Sequence, residues 1–155
     1  MYLLIGIGNP EKTYLKSRHN VGRMLAKNFF GKIQNIKTLE SNLAMNTSGK
    51  FVKDKIDKNN IDKLIVAFDD LDIPYGQYKL QFARGPKNHN GLNDIYEELG
   101  TNNFWHLRIG VEARSDRSLI EGKSYVLSDF SDLELKELNN VFNNIKEDLC
   151  KRLEI

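Results

Sequence analysis

The five consecutive apolar residues Leu64-Ile65-Val66-Ala67-Phe68 constrain this chain more than any other segment. A run this short, rich in β-branched and aromatic residues and bounded by turn signals, is a strand rather than a helix. The boundary is Asp69-Asp70-Leu71-Asp72-Ile73-Pro74-Tyr75-Gly76. Because the run does not alternate with polar residues, both faces of the strand are dry, and the sheet must be covered on either side.

The remaining pattern fits a covered sheet. Tyr2 to Ile7 reads as a short buried strand ending in the turn cluster Gly6-Ile7-Gly8-Asn9-Pro10. Tyr78, Leu80 and Phe82 alternate with polar residues, which gives a strand with one wet face and predicts a mixed rather than purely parallel sheet. Leu107, Ile109 and Val111 alternate in the same way. Val21, Met24, Leu25 and Phe29 follow helical spacing after Asn20, with Gly31 as a natural stop. Leu43 to Asn46 reads as a short strand, followed by a helix capped by Ser48 and containing Phe51, Val52 and Ile56. Leu92, Ile95, Tyr96 and Leu99 mark a helix ended by Gly100. Ser131-x-x-Glu134 is a capping box opening a helix whose stripe runs Leu135, Leu138, Phe142, Ile145, Leu149, Leu153. Strands interleaved with helices predict an α/β fold.

With 155 residues and no repeat, low-complexity tract or linker, residues 1–155 are expected to form a single domain. No apolar run approaches the roughly 18 residues of a membrane span. The start Met-Tyr-Leu-Leu-Ile-Gly has no basic segment or cleavage site, so no secretory signal is expected. The one cysteine, Cys150, cannot form an intrachain disulfide, which fits a cytoplasmic location. Net charge is +2, but from Ser128 onward acidic residues outnumber basic ones seven to four, leaving a modestly basic body. That balance permits a polyanionic ligand without demanding one.

Gly6-Ile7-Gly8 after a strand invites a dinucleotide-binding reading, but Glu11 stands where that fingerprint needs its third glycine, so a plain tight turn is favoured. Asp69, Asp70 and Asp72 lack a second carboxylate cluster or a phosphate cradle. His19, His89 and His106 are far apart in sequence and show no zinc spacing, so no metal is expected. His19, in Arg18-His19-Asn20 before a helix, would by itself be read as a capping or surface residue. Its company changes the balance. Asn9 follows the first strand, Asn46 ends the Leu43 segment and Asp69 ends the Leu64 strand, and the carboxyl ends of strands are where open α/β sheets bind ligands. A histidine, a carboxylate and side-chain amides gathered there form a hydrolytic site without a protein nucleophile. The carboxylate fixes the imidazole tautomer, the imidazole deprotonates water and the amides steady the oxyanion.

Six motifs in order resemble those of bacterial peptidyl-tRNA hydrolases. They are Gly6-Ile7-Gly8-Asn9-Pro10 with Tyr14 and Arg18-His19-Asn20; Met45-Asn46-Thr47-Ser48-Gly49; Asp69 through Gly76; His89-Asn90-Gly91-Leu92; Leu107-Arg108-Ile109-Gly110; and Tyr125-Val126-Leu127-x-x-Phe130. The resemblance implies a three-layer α/β/α domain around a twisted mixed sheet, monomeric and active without metal or cofactor. It implies hydrolysis of the ester joining a peptide to the 3′-terminal ribose of tRNA, recycling tRNA after abortive translation. His19 is then the general base and Asp69, in preference to Asp70, its orienting partner. Asn9, Asn46 and Asn90 become the amides that bind the peptide backbone and position water or the oxyanion. Tyr14 is implied beside the CCA end, and Arg108 on tRNA phosphate near the acceptor stem.

The chain also departs from that pattern. Pro86, Lys87 and Asn88 stand where glycine-rich sequence is usual, and proline stiffens this loop. Phe68 replaces a common histidine, and Gln81 a basic residue, a lost phosphate contact for which Arg84 or Lys87 can substitute. The segment between His19 and Asn46 is short, with a strand or hairpin expected to be missing. These departures motivate an alternative reading: a catalytically impaired tRNA-binding relative with the same scaffold.

Overall fold

The Leu64 run lies at the centre of the sheet. The computed structural model describes all residues, Met1–Ile155. Strands β1 (Tyr2–Gly6), β2 (Ile36–Glu40), β3 (Leu64–Pro74), β4 (Tyr78–Phe82) and β5 (Trp105–Glu112) form one sheet in the order β2-β1-β3-β5-β4. β1 pairs in parallel with β2 and β3, and β3 with β5, while β4 runs antiparallel to β5. The sheet is therefore mixed, as the one-sided Tyr78 pattern predicts.

Five helices cover it: α1 (Val21–Phe29), α2 (Ser48–Lys55), α3 (Asn90–Leu99), α4 (Gly122–Leu127) and α5 (Asp132–Arg152). Successive strand residues face opposite ways, and the core divides accordingly. Leu4, Ile65, Ala67, Leu107, Ile109 and Val111 pack with residues of α1 and α5, including Leu25, Phe29, Phe142 and Ile145. Ile5, Leu64, Val66 and Phe68 pack with α2 and α3 through Phe51, Val52, Leu92 and Ile95. The result is the expected three-layer α/β/α arrangement. α1 lies so close to β1 that a Cβ on Gly6 would fall 2.0 Å from the Gly22 carbonyl oxygen. The Ser131–Glu134 capping box is formed in both directions at the start of α5. No helix is long and apolar enough to cross a membrane.

Three expectations change, and one strand was not marked in the sequence at all. The short segment between His19 and Asn46 holds that strand: β2 pairs with β1 in register from Tyr2–Ile36 to Gly6–Glu40. Its polar Lys37 and Glu40 and its place at the sheet edge hide it from an apolar-run search. Met45–Thr47 is a 3-10 turn, not the end of a strand, and Ser48 donates to Met45 O instead of capping α2. β3 continues through the acidic segment, because backbone pairing with β5 extends to Asp70 and resumes at Pro74 after an irregularity. β5 is buried on both faces, with its polar residues satisfied internally.

Candidate active site

The strand order reverses between β1 and β3, where crossovers lead away to opposite sides of the sheet. In open α/β sheets the crevice beyond the strand ends at this point is the usual ligand site. Asn9 follows β1 there, and Asp69 and Asp70 project from β3. A cavity of about 610 Å³ opens over them, within the usual range for a small-ligand pocket. Its floor and walls include Asn9, His19, Asn46, Asp69, His89 and Asn90.

His19 arrives on the 3-10 turn Arg18–Asn20 that precedes α1. Arg18 anchors that turn from below. Its guanidinium donates to Ser128 Oγ and Asp129 O at 2.7 Å each, pairs with Glu134 at 3.1 Å and lies over the Tyr125 ring. His19 Nδ1 is 2.8 Å from Asp69 Oδ2, which decides between Asp69 and Asp70 as its neighbour. Since an ionised carboxylate only accepts, Nδ1 carries the proton and Nε2 is the basic nitrogen. Nε2 has no protein partner, in a side chain that lines the cavity. Burial alone would lower the His19 pKa, but the Asp69 charge and hydrogen bond outweigh it and the value lies above the ordinary 6.5.

A second histidine completes this group, and sequence reasoning missed it. His89 Nε2 donates to the other Asp69 oxygen, Oδ1, at 2.8 Å, and His89 Nδ1 accepts from Leu92 N–H as the N-cap of α3. The signal was its place beside Asn90 in one motif, although nothing local linked it to Asp69. Both oxygens of the nearly buried Asp69 are thus filled by imidazole N–H groups. Burial tends to raise its pKa, yet the two histidines hold it well below the usual carboxylate range.

His19, Asp69 and His89 also present nitrogen and oxygen atoms within 4.8 Å of one another, a spacing a metal ion could use. Two ligand atoms sharing a tetrahedral zinc are about 3.3 Å apart at ordinary bond lengths. The 2.8 Å separations here are instead those of N–H···O hydrogen bonds, and Leu92 N–H occupies the remaining His89 nitrogen. The donor set fits bridging protons better than a metal.

The amides divide into two kinds. Asn9 Oδ1 accepts from Met45 N–H at 2.9 Å, so this side chain turns its NH₂ to other use. Asn46 and Asn90 are exposed on the cavity wall and make no side-chain hydrogen bond within the protein. Each therefore retains a donor and an acceptor. The other wall, from β3 and α4, carries Leu71, Val126 and Leu127 together with Lys123, none of which the sequence had marked as site residues. Tyr14 is half-buried on the 3-10 turn Lys12–Tyr14, outside the cavity lining. Lys87 lines the cavity, and Arg84 is exposed nearby in the chain.

Arg108 requires a correction. It is 7% exposed, and its Nε donates to Asp70 Oδ2 at 2.7 Å while Nη1 donates to Gln81 Oε1 at 2.8 Å. Asp70 is itself buried, so this pair is internal and Arg108 is not an outward-facing phosphate contact. The glutamine that replaces a basic residue on β4 accepts from the same arginine.

Comparison with known proteins is consistent across sequence and structure. A family model described as "Peptidyl-tRNA hydrolase" matches residues 27–154. The peptidyl-tRNA hydrolase of Lawsonia intracellularis is 35% identical, over 92% of this chain and 82% of its own length. That of Prochlorococcus marinus strain NATL2A is 37% identical, over 92% and 84%. The crystal structure of peptidyl-tRNA hydrolase from Acinetobacter baumannii superposes with a TM-score of 0.75 at 23% identity, covering 95% of this chain and 85% of that one. The structural match speaks to the fold; the sequence matches speak to the family.

Proposed function

The chain belongs to the peptidyl-tRNA hydrolase family, and from that premise we propose how its residues carry out the reaction. The protein hydrolyses the ester between a peptide and the 3′-terminal ribose of tRNA, releasing both for reuse. The observation that carries the mechanism is the His19 Nδ1–Asp69 hydrogen bond, which leaves the unpartnered Nε2 as a base beside the cavity.

In this reading Nε2 takes a proton from water as the oxygen attacks the ester carbonyl carbon. Negative charge moves to the carbonyl oxygen, where the Asn9 NH₂ donates to it. When the tetrahedral intermediate collapses, the bond to the ribose oxygen breaks. The His19 imidazolium returns its proton to that oxygen, and the peptide leaves as a carboxylic acid that loses its remaining proton to solvent. Asp69 stays ionised throughout and stabilises the imidazolium. An ester is already reactive compared with an amide, so a positioned water and a tuned imidazole suffice.

Asn46 and Asn90 supply the selectivity. Each can accept from a peptide N–H and donate to a peptide carbonyl, a pairing that a peptidyl ester offers and a free aminoacyl ester lacks. Lys87 and Lys123, from the β4–α3 loop and α4, contact phosphates of the CCA end, with Arg84 farther out and Tyr14 as an outer contact. The protein acts as a monomer in the cytoplasm and needs no cofactor for these steps.

The test is hydrolysis of N-blocked aminoacyl-tRNA by wild type and His19→Ala, with free aminoacyl-tRNA as the control. Loss of a general base is expected to slow turnover by about 10²–10⁴-fold. Equal activity in the variant would remove His19 from this role. Salt-sensitive tRNA binding with no cleavage by wild type would favour the impaired-relative reading.

A further inference from the structure

Asn20 grips the backbone of Asn9 from both sides. Its Oδ1 accepts from Asn9 N–H at 2.7 Å, and its Nδ2 donates to Asn9 O at 2.7 Å. The Asn20 side chain is 1% exposed, whereas Asn9 is half-buried and its carbonyl oxygen accepts a second, longer hydrogen bond from Arg23 Nη1 at 3.5 Å. A planar amide that meets both backbone groups of one residue fixes that residue's orientation, as a neighbouring strand would.

Three further observations point the same way. A Cβ at Gly8 would fall 2.5 Å from Asn20 Oδ1, so the amide reaches its partner only because position 8 has no side chain. The Asn9 side chain is then fixed at its own oxygen by Met45 N–H. Backbone and side-chain oxygen are both held, and the Asn9 NH₂ remains for the cavity. Asn20 also follows His19 directly in the same 3-10 turn. One turn therefore carries the base on one residue and the grip on the amide on the next.

We propose that Asn20 is a positioning residue for ester hydrolysis, holding the Asn9 NH₂ where the oxyanion forms and tying that point to the base at His19. The inference rests on the reading of Asn9 given under the proposed function. Stabilisation of an oxyanion depends on a donor already in place when charge develops, so a correctly identified but loosely held amide loses much of its effect.

A double-mutant cycle on kcat for N-blocked aminoacyl-tRNA tests this. Asn9→Ala is expected to lower kcat by about 10²-fold, the usual scale for removing one oxyanion donor. Asn20→Ala is expected to lose a similar factor with little change in KM. The double variant should be no slower than Asn9→Ala alone, since without the amide nothing remains to be positioned. Asn20→Asp keeps the shape and the acceptor but removes the donor to Asn9 O. It is expected to show the same non-additivity and serves if Asn20→Ala folds poorly. A purely structural asparagine would slow the enzyme by one factor whether or not Asn9 is present. That result, or wild-type kcat in a folded Asn20 variant, overturns the proposal. Wild-type kcat in Asn9→Ala would overturn the oxyanion assignment first and this inference with it. A wild-type protein that cleaves no ester would overturn the whole reading of the site.

Discussion

His89 and Asp69 are joined by a 2.8 Å hydrogen bond between Nε2 and Oδ1, on the carboxylate oxygen that His19 does not use. His89→Ala would leave that oxygen buried without a donor, a loss of about 1–3 kcal/mol in stability. The carboxylate would also be freer to rotate away from His19. A lower Tm is therefore expected together with a fall in kcat smaller than that of His19→Ala. Thermal unfolding and steady-state kinetics on both variants check it; an unchanged kcat would reduce His89 to a helix cap.

The rate should rise with pH. His19 acts as a base only when Nε2 is free of its second proton, and its pKa is held above the ordinary 6.5 by Asp69, against the effect of burial. The kcat/KM profile is expected to climb through an inflection above pH 6.5. Asp69→Asn removes the charge that raises the pKa, so the inflection should move down even as the plateau falls. An inflection that stays in place would show that another group controls the profile.

Much of this was legible in the sequence, for a local reason. Apolar runs such as Leu64–Phe68 and helical stripes such as Leu138–Leu149 encode burial within a few residues, so the layers followed directly. What escaped depends on distant partners. His89 reaches Asp69 twenty positions away, and Arg108 reaches Asp70 across thirty-eight. Neither has a local pattern that reveals its partner. The alternating Trp105–Glu112 segment looked half-wet because His106 and Arg108 are polar, yet both are buried and satisfied, by Tyr96 and by Asp70 with Gln81. The resemblance identified the residues around the base, while the orientation of each side chain needed coordinates.

Arg108 is expected to behave as a core residue, despite its charge. Arg108→Ala would leave Asp70, 1% exposed, without its cation, and breaking a buried pair from one side typically costs about 3–5 kcal/mol. Denaturant unfolding should show that loss. The salt dependence of kcat/KM should stay as in wild type, because no phosphate contact has been removed.

Lys87 and Lys123 should behave in the opposite way. Both line the cavity and neither forms a salt bridge within the protein. If each meets one phosphate of the single-stranded 3′ end, its removal should reduce the slope of log(kcat/KM) against log salt by about 0.7. Lys87→Ala and Lys123→Ala should raise KM and leave Tm nearly unchanged. An unaltered slope in both variants would exclude them from phosphate recognition.

His106 gives the fold an acid-sensitive element separate from the active site. It is fully buried, with its Nδ1–H directed to Phe104 O at 3.0 Å and its Nε2 accepting from Tyr96 Oη–H at 2.7 Å. Burial is the main cause that lowers its pKa to about 4, against 6.5 when unfolded. Between those values the unfolded chain binds the proton and the folded one refuses it, so stability rises with pH across the window. As pH falls from about 6.5 towards 4 the protein should lose up to about 3 kcal/mol from this group, and below 4 the loss levels off. Asp69 acts lower, since its depressed pKa supports the fold above the ordinary 3.8 and loses that support only in stronger acid. The two effects therefore occupy different pH ranges. His106→Gln, which cannot titrate, should be less stable at pH 7 but flatter between pH 6.5 and 4. A denaturation series that keeps the wild-type slope in this variant would show that the sensitivity belongs elsewhere.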